Sequence, residues 1–128
     1  FYPEGQGPTE DDVRLTMSFA RHPRTVSFTA ELDGVVVGAG ACEVVEGRVA
    51  ALFGASVLPE FRRRGVQQAL LAERLALAAA RGCVIATIGS RPGAATERNV
   101  RRLGFQAAYD KVILCRPGQG LAAAPTPD

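Results

Sequence analysis

Val57-Leu58-Pro59-Glu60-Phe61-Arg62-Arg63-Arg64-Gly65-Val66-Gln67-Gln68-Ala69-Leu70-Leu71 is the stretch from which the rest of the chain can be read. A β-prone segment runs into Pro59. Three arginines and a glycine come next, and then an Ala/Leu-rich helix begins. The first turn of a helix leaves backbone N–H groups without partners, and the helix dipole places its positive end there. The amides of Arg64, Gly65, Val66 and Gln67 would point outward from this turn, with Arg62, Arg63 and Arg64 around its rim. That arrangement suits a phosphate or pyrophosphate. A glycine at position 65 keeps the approach open to a bulky anion. Neither GxxxxGK[ST] nor GxGxxG occurs here, so this is neither a Walker loop nor a Rossmann fingerprint.

Working outward, the helix after the turn runs to about Arg81 and stops on Gly82, a suitable C′ residue. Val66, Leu70 and Leu77 form a stripe with Ala69, Ala76 and Ala80. Gln67, Arg74 and Arg81 mark its expected wet side. Cys83–Ile88 is a short apolar run, read as a buried strand. With a strand at Arg48–Val57 this makes a βαβ unit, whose two strands should be parallel and whose crossover should be right-handed. Further upstream, Thr25–Glu31 alternates, Asp33-Gly34 is a two-residue hairpin turn, and Val35–Val45 is the return strand. Gly38 and Gly40 in that strand suggest a bulge or a close backbone approach. Glu46-Gly47 makes a second turn, so the first three strands form an antiparallel meander. Thr9 and Asp12 can cap an early helix that Pro23 stops. A short helix at about Ala95–Leu103 ends on Gly104, and Gln106–Cys115 reads as a final strand.

The 128 residues fit one domain. We expect it to span 1–116, with a flexible Pro/Gly/Ala-rich tail over 117–128. With 47% hydrophobic and 22% charged residues the chain should be globular. A net charge of +2, spread along the sequence, does not favour a nucleic-acid partner. No apolar run could span a bilayer, and no secretory signal opens the chain, so a cytoplasmic location is expected. Cys42, Cys83 and Cys115 lie in apolar segments without CxxC spacing, and His22 is the sole histidine. Buried core thiols are expected, with neither a metal site nor a disulfide framework.

The segment from Val57 to Gln67 resembles the acyl-CoA-binding motif of the GNAT superfamily of N-acetyltransferases. That motif reads [Q/R]-x-x-G-x-[G/A] after V-x-P and before a Leu-rich helix. Arg62 takes the first position, Gly65 the glycine, and Val57-Leu58-Pro59 the lead-in. Gln67 stands where the family has glycine or alanine. Asn99-Val100-Arg101-Arg102-Leu103-Gly104-Phe105 is similar to the family's second cofactor helix, which ends in L-G-F and carries an asparagine near the pantetheine arm. The resemblance covers about Thr25 to Cys115. It implies an α/β fold: a mixed sheet, an antiparallel meander and then the βαβ unit, and helices on both faces. It also implies acetyl-CoA as cosubstrate, with no metal. The cofactor would be held by Ser56, Val57, Arg62, Arg63, Arg64, Gly65, Val66, Gln67, Gln68 and Asn99. The third and fourth strands would splay apart near Val57. The family's first strand and helix have no counterpart before Thr9, and sheet edges left open in this way would invite pairing of two copies as a homodimer.

The implied reaction moves an acetyl group from acetyl-CoA to the amine of a small molecule or peptide. A backbone N–H near Val57 could polarise the thioester carbonyl. Many family members carry a tyrosine four residues before the glycine of L-G-F; here that position is Val100. Tyr109, in the final strand, is the nearest substitute as proton donor, or else a half-buried strand aromatic. Glu43 could act as the base, directly or through water, or be a plain solvent-facing glutamate. A non-catalytic acyl-CoA-binding or regulatory domain is the rival reading.

Overall fold

The computed structural model describes residues 7–45 and 47–114. Helix α1 spans Glu10–Ala20. Strands β1 (Thr25–Leu32), β2 (Val35–Val45) and β3 (Val49–Val57) come next as the meander. A 3-10 turn at Pro59–Phe61 leads to helix α2 (Val66–Ala80), strand β4 (Ile85–Ile88) and helix α3 (Ala95–Arg102). The sheet has four strands in the order β1-β2-β3-β4. Its first two pairings are antiparallel, and β3 pairs with β4 in parallel. The mixed α/β architecture expected from the sequence is thus the one found.

Local chemistry accounts for the element ends. Thr9 and Asp12 form a reciprocal capping box on α1, a feature that stabilises a helix by about 1 kcal/mol. Asp33 and Gly34 both have positive φ, 53° and 78°, as a type I′ turn requires. Arg81 caps α2, and Gly82 takes φ 70° beyond it.

The core lies between the sheet and α2. Cys42, Val44, Ala50, Leu52, Leu71, Ala78 and Val100 form one buried cluster. Val37, Val66 and Leu70 form a second, with Val57 and Phe61 packed against it. Both glycines of β2 serve this contact. A Cβ on Gly38 would sit 3.0 Å from both the Ser56 carbonyl oxygen and Val66 Cγ1, and a Cβ on Gly40 would sit 3.3 Å from Arg74 Cζ. The opposite face of the sheet carries α1, where Phe19 meets Phe53 edge-on at 6.4 Å between centroids. Helices therefore cover both faces.

Three expectations change. Arg74 is not on the wet side of α2: it is 1% exposed, and Ala69, Ala76 and Ala80 face solvent instead. The buried row is Val66, Leu70, Arg74 and Ala78, four residues apart, and the guanidinium can enter because Gly40 leaves it room. Cys83–Ile88 yields only Ile85–Ile88 as strand, and Val84 and Ile85 are 80% and 56% exposed, because β4 is an edge. Residues 106–114 form no strand. They are exposed and pair with no strand of the described sheet. On α1, Val13, Leu15, Met17 and Phe19 are each at least 43% exposed.

Cys42 is fully buried, as a core thiol should be, and burial raises its pKa; Cys83 is half-buried. Glu46, Cys115, residues 1–6 and the tail 117–128 lie outside the described residues. No helix among the described residues is long and apolar enough to cross a membrane.

The seating of α2 on β2 is tight enough to test. Gly38→Ala should lower stability by about 1–3 kcal/mol through overpacking, read as a drop in Tm on thermal unfolding. An unchanged Tm would mean that the helix stands further from the strand.

Candidate functional site

Two structural features meet at the C-terminal end of β3. One is a gap in the sheet. β3 pairs with β4 only from Val49 to Leu52, opposite Ile85 to Ile88, whereas it stays paired with β2 out to Val57. From Phe53 to Val57 the side of β3 that turns away from β2 has no strand partner among the described residues. The backbone direction there can be deduced. Leu58 donates its N–H back to the Val37 carbonyl at 2.9 Å. Amides alternate along a strand, so the N–H and C=O of Val57 turn the other way, toward the gap. The Val57 carbonyl accepts a hydrogen bond from Arg62 Nε at 3.4 Å, which ties the strand end to the arginine turn.

The other feature is the N-terminus of α2. The first helical hydrogen bond runs from the Ala69 N–H to the Gly65 carbonyl at 2.9 Å. The amides of Val66, Gln67 and Gln68 therefore have no acceptor within the helix. Gly65 is the N-cap and has φ 79°, so glycine is needed there for its left-handed backbone. The space where its Cβ would be is open to 4 Å. Arg63 also has positive φ, 62°. Arg62, Arg63 and Arg64 are exposed, and none pairs with a carboxylate among the described residues. Arg64 lies over the Phe61 ring at 5.3 Å, and Phe61 packs beside buried Val66. The turn is thus anchored below by apolar contacts and open above, with amide donors and uncompensated positive charge.

Gln67 does not lie across the turn. Its Oε1 accepts from Asn99 Nδ2 at 2.8 Å, and its Nε2 donates to Thr96 Oγ1 at 3.4 Å. The side chain that departs from the motif thus fastens α2 to α3. It also draws Asn99 toward the turn, leaving the Asn99 side-chain carbonyl oxygen uninvolved in that bond. Val100, next to Asn99, is 6% exposed and packs into the core with Leu71 and Leu52. The start of α3 is held by Glu97, which accepts from the Gly93 N–H at 2.6 Å and from Arg101 Nε at 2.9 Å. These two bonds, the first being the larger effect, hold the Glu97 carboxyl below its ordinary pKa.

The remaining site candidates fall apart in space. Ser56 is exposed on β3 beside the gap. Glu43 lies on β2 opposite Ala51, on the face away from α2, and is paired with Arg24 at 2.9 Å. Tyr109 is 82% exposed in the unpaired segment after α3, so no element of the described fold brings it to the gap. Two participants escaped sequence reasoning. Thr96 carries no signal in the sequence, because its role depends on the unexpected direction of Gln67. Arg74 does carry one: it falls on the same four-residue row as Val66 and Leu70. No cluster of three metal-ligating side chains exists among the described residues.

Comparison with known proteins gives the family and the shared fold. Residues 1–105 match the model of the acetyltransferase (GNAT) family. No curated protein matches the chain. Among solved structures, the aminoglycoside N-acetyltransferase AAC(6')-Iy in complex with a bisubstrate analogue is similar, with 27% identity and a TM-score of 0.65. That alignment covers 90% of this chain and 84% of the other. An acetyltransferase of Trypanosoma brucei aligns at 20% identity and TM-score 0.67, covering 89% and 84%. A transcriptional regulator from Bacillus halodurans aligns at 17% identity and TM-score 0.70, covering 83% and 75%. The last two show the shared fold alone.

Gly65→Val tests the anion seat. A β-branched residue forced into a left-handed backbone is strained by about 1–2 kcal/mol, and relaxing it turns the amides away. Calorimetry with CoA should show an affinity loss of roughly tenfold or more while the far-UV spectrum is retained. Wild-type affinity in this variant would remove the seat.

Proposed function

Because this chain belongs to the GNAT family of acetyltransferases, we propose that it transfers an acetyl group from acetyl-CoA to the amine of a small molecule or peptide. The observation that carries the proposal is the conjunction at the end of β3. Among the described residues, an unpaired amide at Val57 faces the gap there, beside a helix N-terminus with three unpaired amides and three arginines that lack carboxylate partners. A long ligand with an anionic pyrophosphate at one end and an amide-containing arm at the other matches this layout. Acetyl-CoA supplies the acetyl group as a thioester.

In this reading the amides of Val66, Gln67 and Gln68 bind the pyrophosphate, and Arg62, Arg63 and Arg64 add charge around it. The open side of Phe53–Val57 pairs with the pantetheine arm as a further strand would, and Asn99 approaches it from α3. The Val57 N–H, aimed into the gap, polarises the thioester carbonyl. As the C–N bond forms and the C–S bond breaks, one proton must leave the amine and one must reach the sulfur. Glu43 would receive the first through water, since it lies opposite Ala51 and not at the gap, and its pair with Arg24 would have to open. Tyr109 supplies the second, which requires residues 106–114 to close over the gap when both substrates are bound. The likeness to an aminoglycoside N-acetyltransferase puts small polyamines first among acceptors to be tried.

One observation favours a second reading, a non-catalytic acyl-CoA-binding domain. Val100 stands where many family members have a tyrosine, and it is buried in the core rather than facing the gap. Release of free thiol from acetyl-CoA with a panel of amines, aminoglycosides included, separates the two when run beside calorimetry with CoA. Turnover on any amine supports the transferase. Binding without turnover supports the regulator, and absence of both overturns the cofactor assignment. Where turnover is found, Tyr109→Phe should lower kcat by about 10- to 100-fold and remove the basic limb of the pH–rate profile. An unchanged profile would dismiss Tyr109 as the donor.

A further inference from the structure

Arg74 is the one charged residue buried among the described residues, at 1% exposure. No carboxylate among those residues pairs with it, and burial lowers its pKa from the ordinary arginine value. Its hydrogen bonds go to main-chain carbonyls instead. Nε donates to the Leu70 carbonyl of its own helix at 2.9 Å. Nη1 donates to the carbonyls of Ala41 and Phe53, at 3.3 and 3.4 Å. Such an arrangement is costly for a core position that an apolar residue could fill.

The two strand carbonyls mark a particular place. Ala41 faces Phe53, yet Ala39 faces Ser56. Two steps along β2 match three along β3, so β3 carries one extra residue at Gly54-Ala55, with Gly54 at φ 62°. This is a bulge, and Arg74 grips both strands at its base. It is also where β3 leaves β4, since their pairing ends at Leu52, one residue before Phe53. A bulge bends its strand and re-aims the residues beyond it. The effect here is specific. A slip of one residue reverses which side of a strand each group faces. Without the extra residue, the Val57 N–H would turn toward β2 and not into the gap.

We propose that Arg74 is a positioning residue for acetyl transfer: from the α2 side it pins the Ala41 and Phe53 carbonyls and so holds the bulge that aims the Val57 amide at the thioester. The inference rests on the acetyl-transfer reading above. Gly40 belongs to the same device, because any side chain there would press on the guanidinium. The anion seat at Gly65–Gln68 does not depend on Arg74, so binding and chemistry should separate.

Arg74→Met and Arg74→Lys test this, measured by acetyl-CoA turnover, CoA calorimetry, thermal unfolding and amide NMR of the free protein. Methionine keeps the packing without the donors. The expected result for Arg74→Met is CoA affinity within about threefold of wild type and kcat lowered by about 10- to 100-fold. Amide signals of Gly54–Val57 should move while those of Gly65–Gln68 stay. Arg74→Lys, which keeps a donor, should recover part of the rate, and it carries the same measurements if the methionine variant does not fold. Unchanged kcat per folded molecule, with Gly54–Val57 signals in place, would overturn the inference, even if Tm fell. Should the wild type neither bind CoA nor turn over, the acetyl-transfer reading fails by itself. The amide signals would then still decide whether Arg74 holds the bulge: moved signals support that role, and unmoved ones overturn it.

Discussion

The closeness of α2 to the sheet governs the rest of this molecule. Gly38 and Gly40 remove the side chains that would hold the helix off, and Val66, Leu70 and Arg74 occupy the space. A Cβ at Gly38 would meet Val66 at 3.0 Å, so even one methyl group is too much without rearrangement. The helix is seated this closely, and only residues 58–65 separate it from β3, so its N-terminus lies beside the end of that strand. The positive end of a dipole and the open side of a strand are thereby brought together. Neither feature alone would specify a ligand.

The same seating explains how the chain tolerates glutamine where the family motif has a small residue. Val66 is buried and fixes the rotation of the first helical turn. That rotation carries Gln67 toward α3, where Asn99 and Thr96 engage its amide. The backbone amides of the turn stay available. A residue that would obstruct the seat thus serves as a brace between the two helices that border it.

Much of this was legible in the sequence. Strand ends came from turn chemistry: Asp33-Gly34 fixed the hairpin, and Gly82 fixed the end of α2. The parallel pairing of β3 and β4 came from the helix between them. The exposed arginine turn at the start of α2 came from Pro59, the arginines and Gly65, and the structure gives Gly65 a conformational reason where the sequence suggested a steric one. The readings that failed depended on tertiary context. Arg74 looked wet because arginine usually is, and its burial depends on the room that Gly40 of a distant strand leaves for the guanidinium. Residues 106–114 carry strand-forming side chains at Tyr109, Val112 and Ile113, but β propensity needs a partner edge to act on. The positions of Glu43 and Tyr109 relative to the gap could not be read from spacing at all.

The central claim is that main-chain hydrogens at the start of α2 hold the pyrophosphate of CoA. Amide NMR during titration with CoA tests it most directly, since each N–H reports separately. The largest shifts are predicted at Val66, Gln67 and Gln68, with a second group at Ala55–Val57. Saturable binding that leaves those signals unmoved, with shifts centred on α1 or on the outer edge of β1, would contradict it.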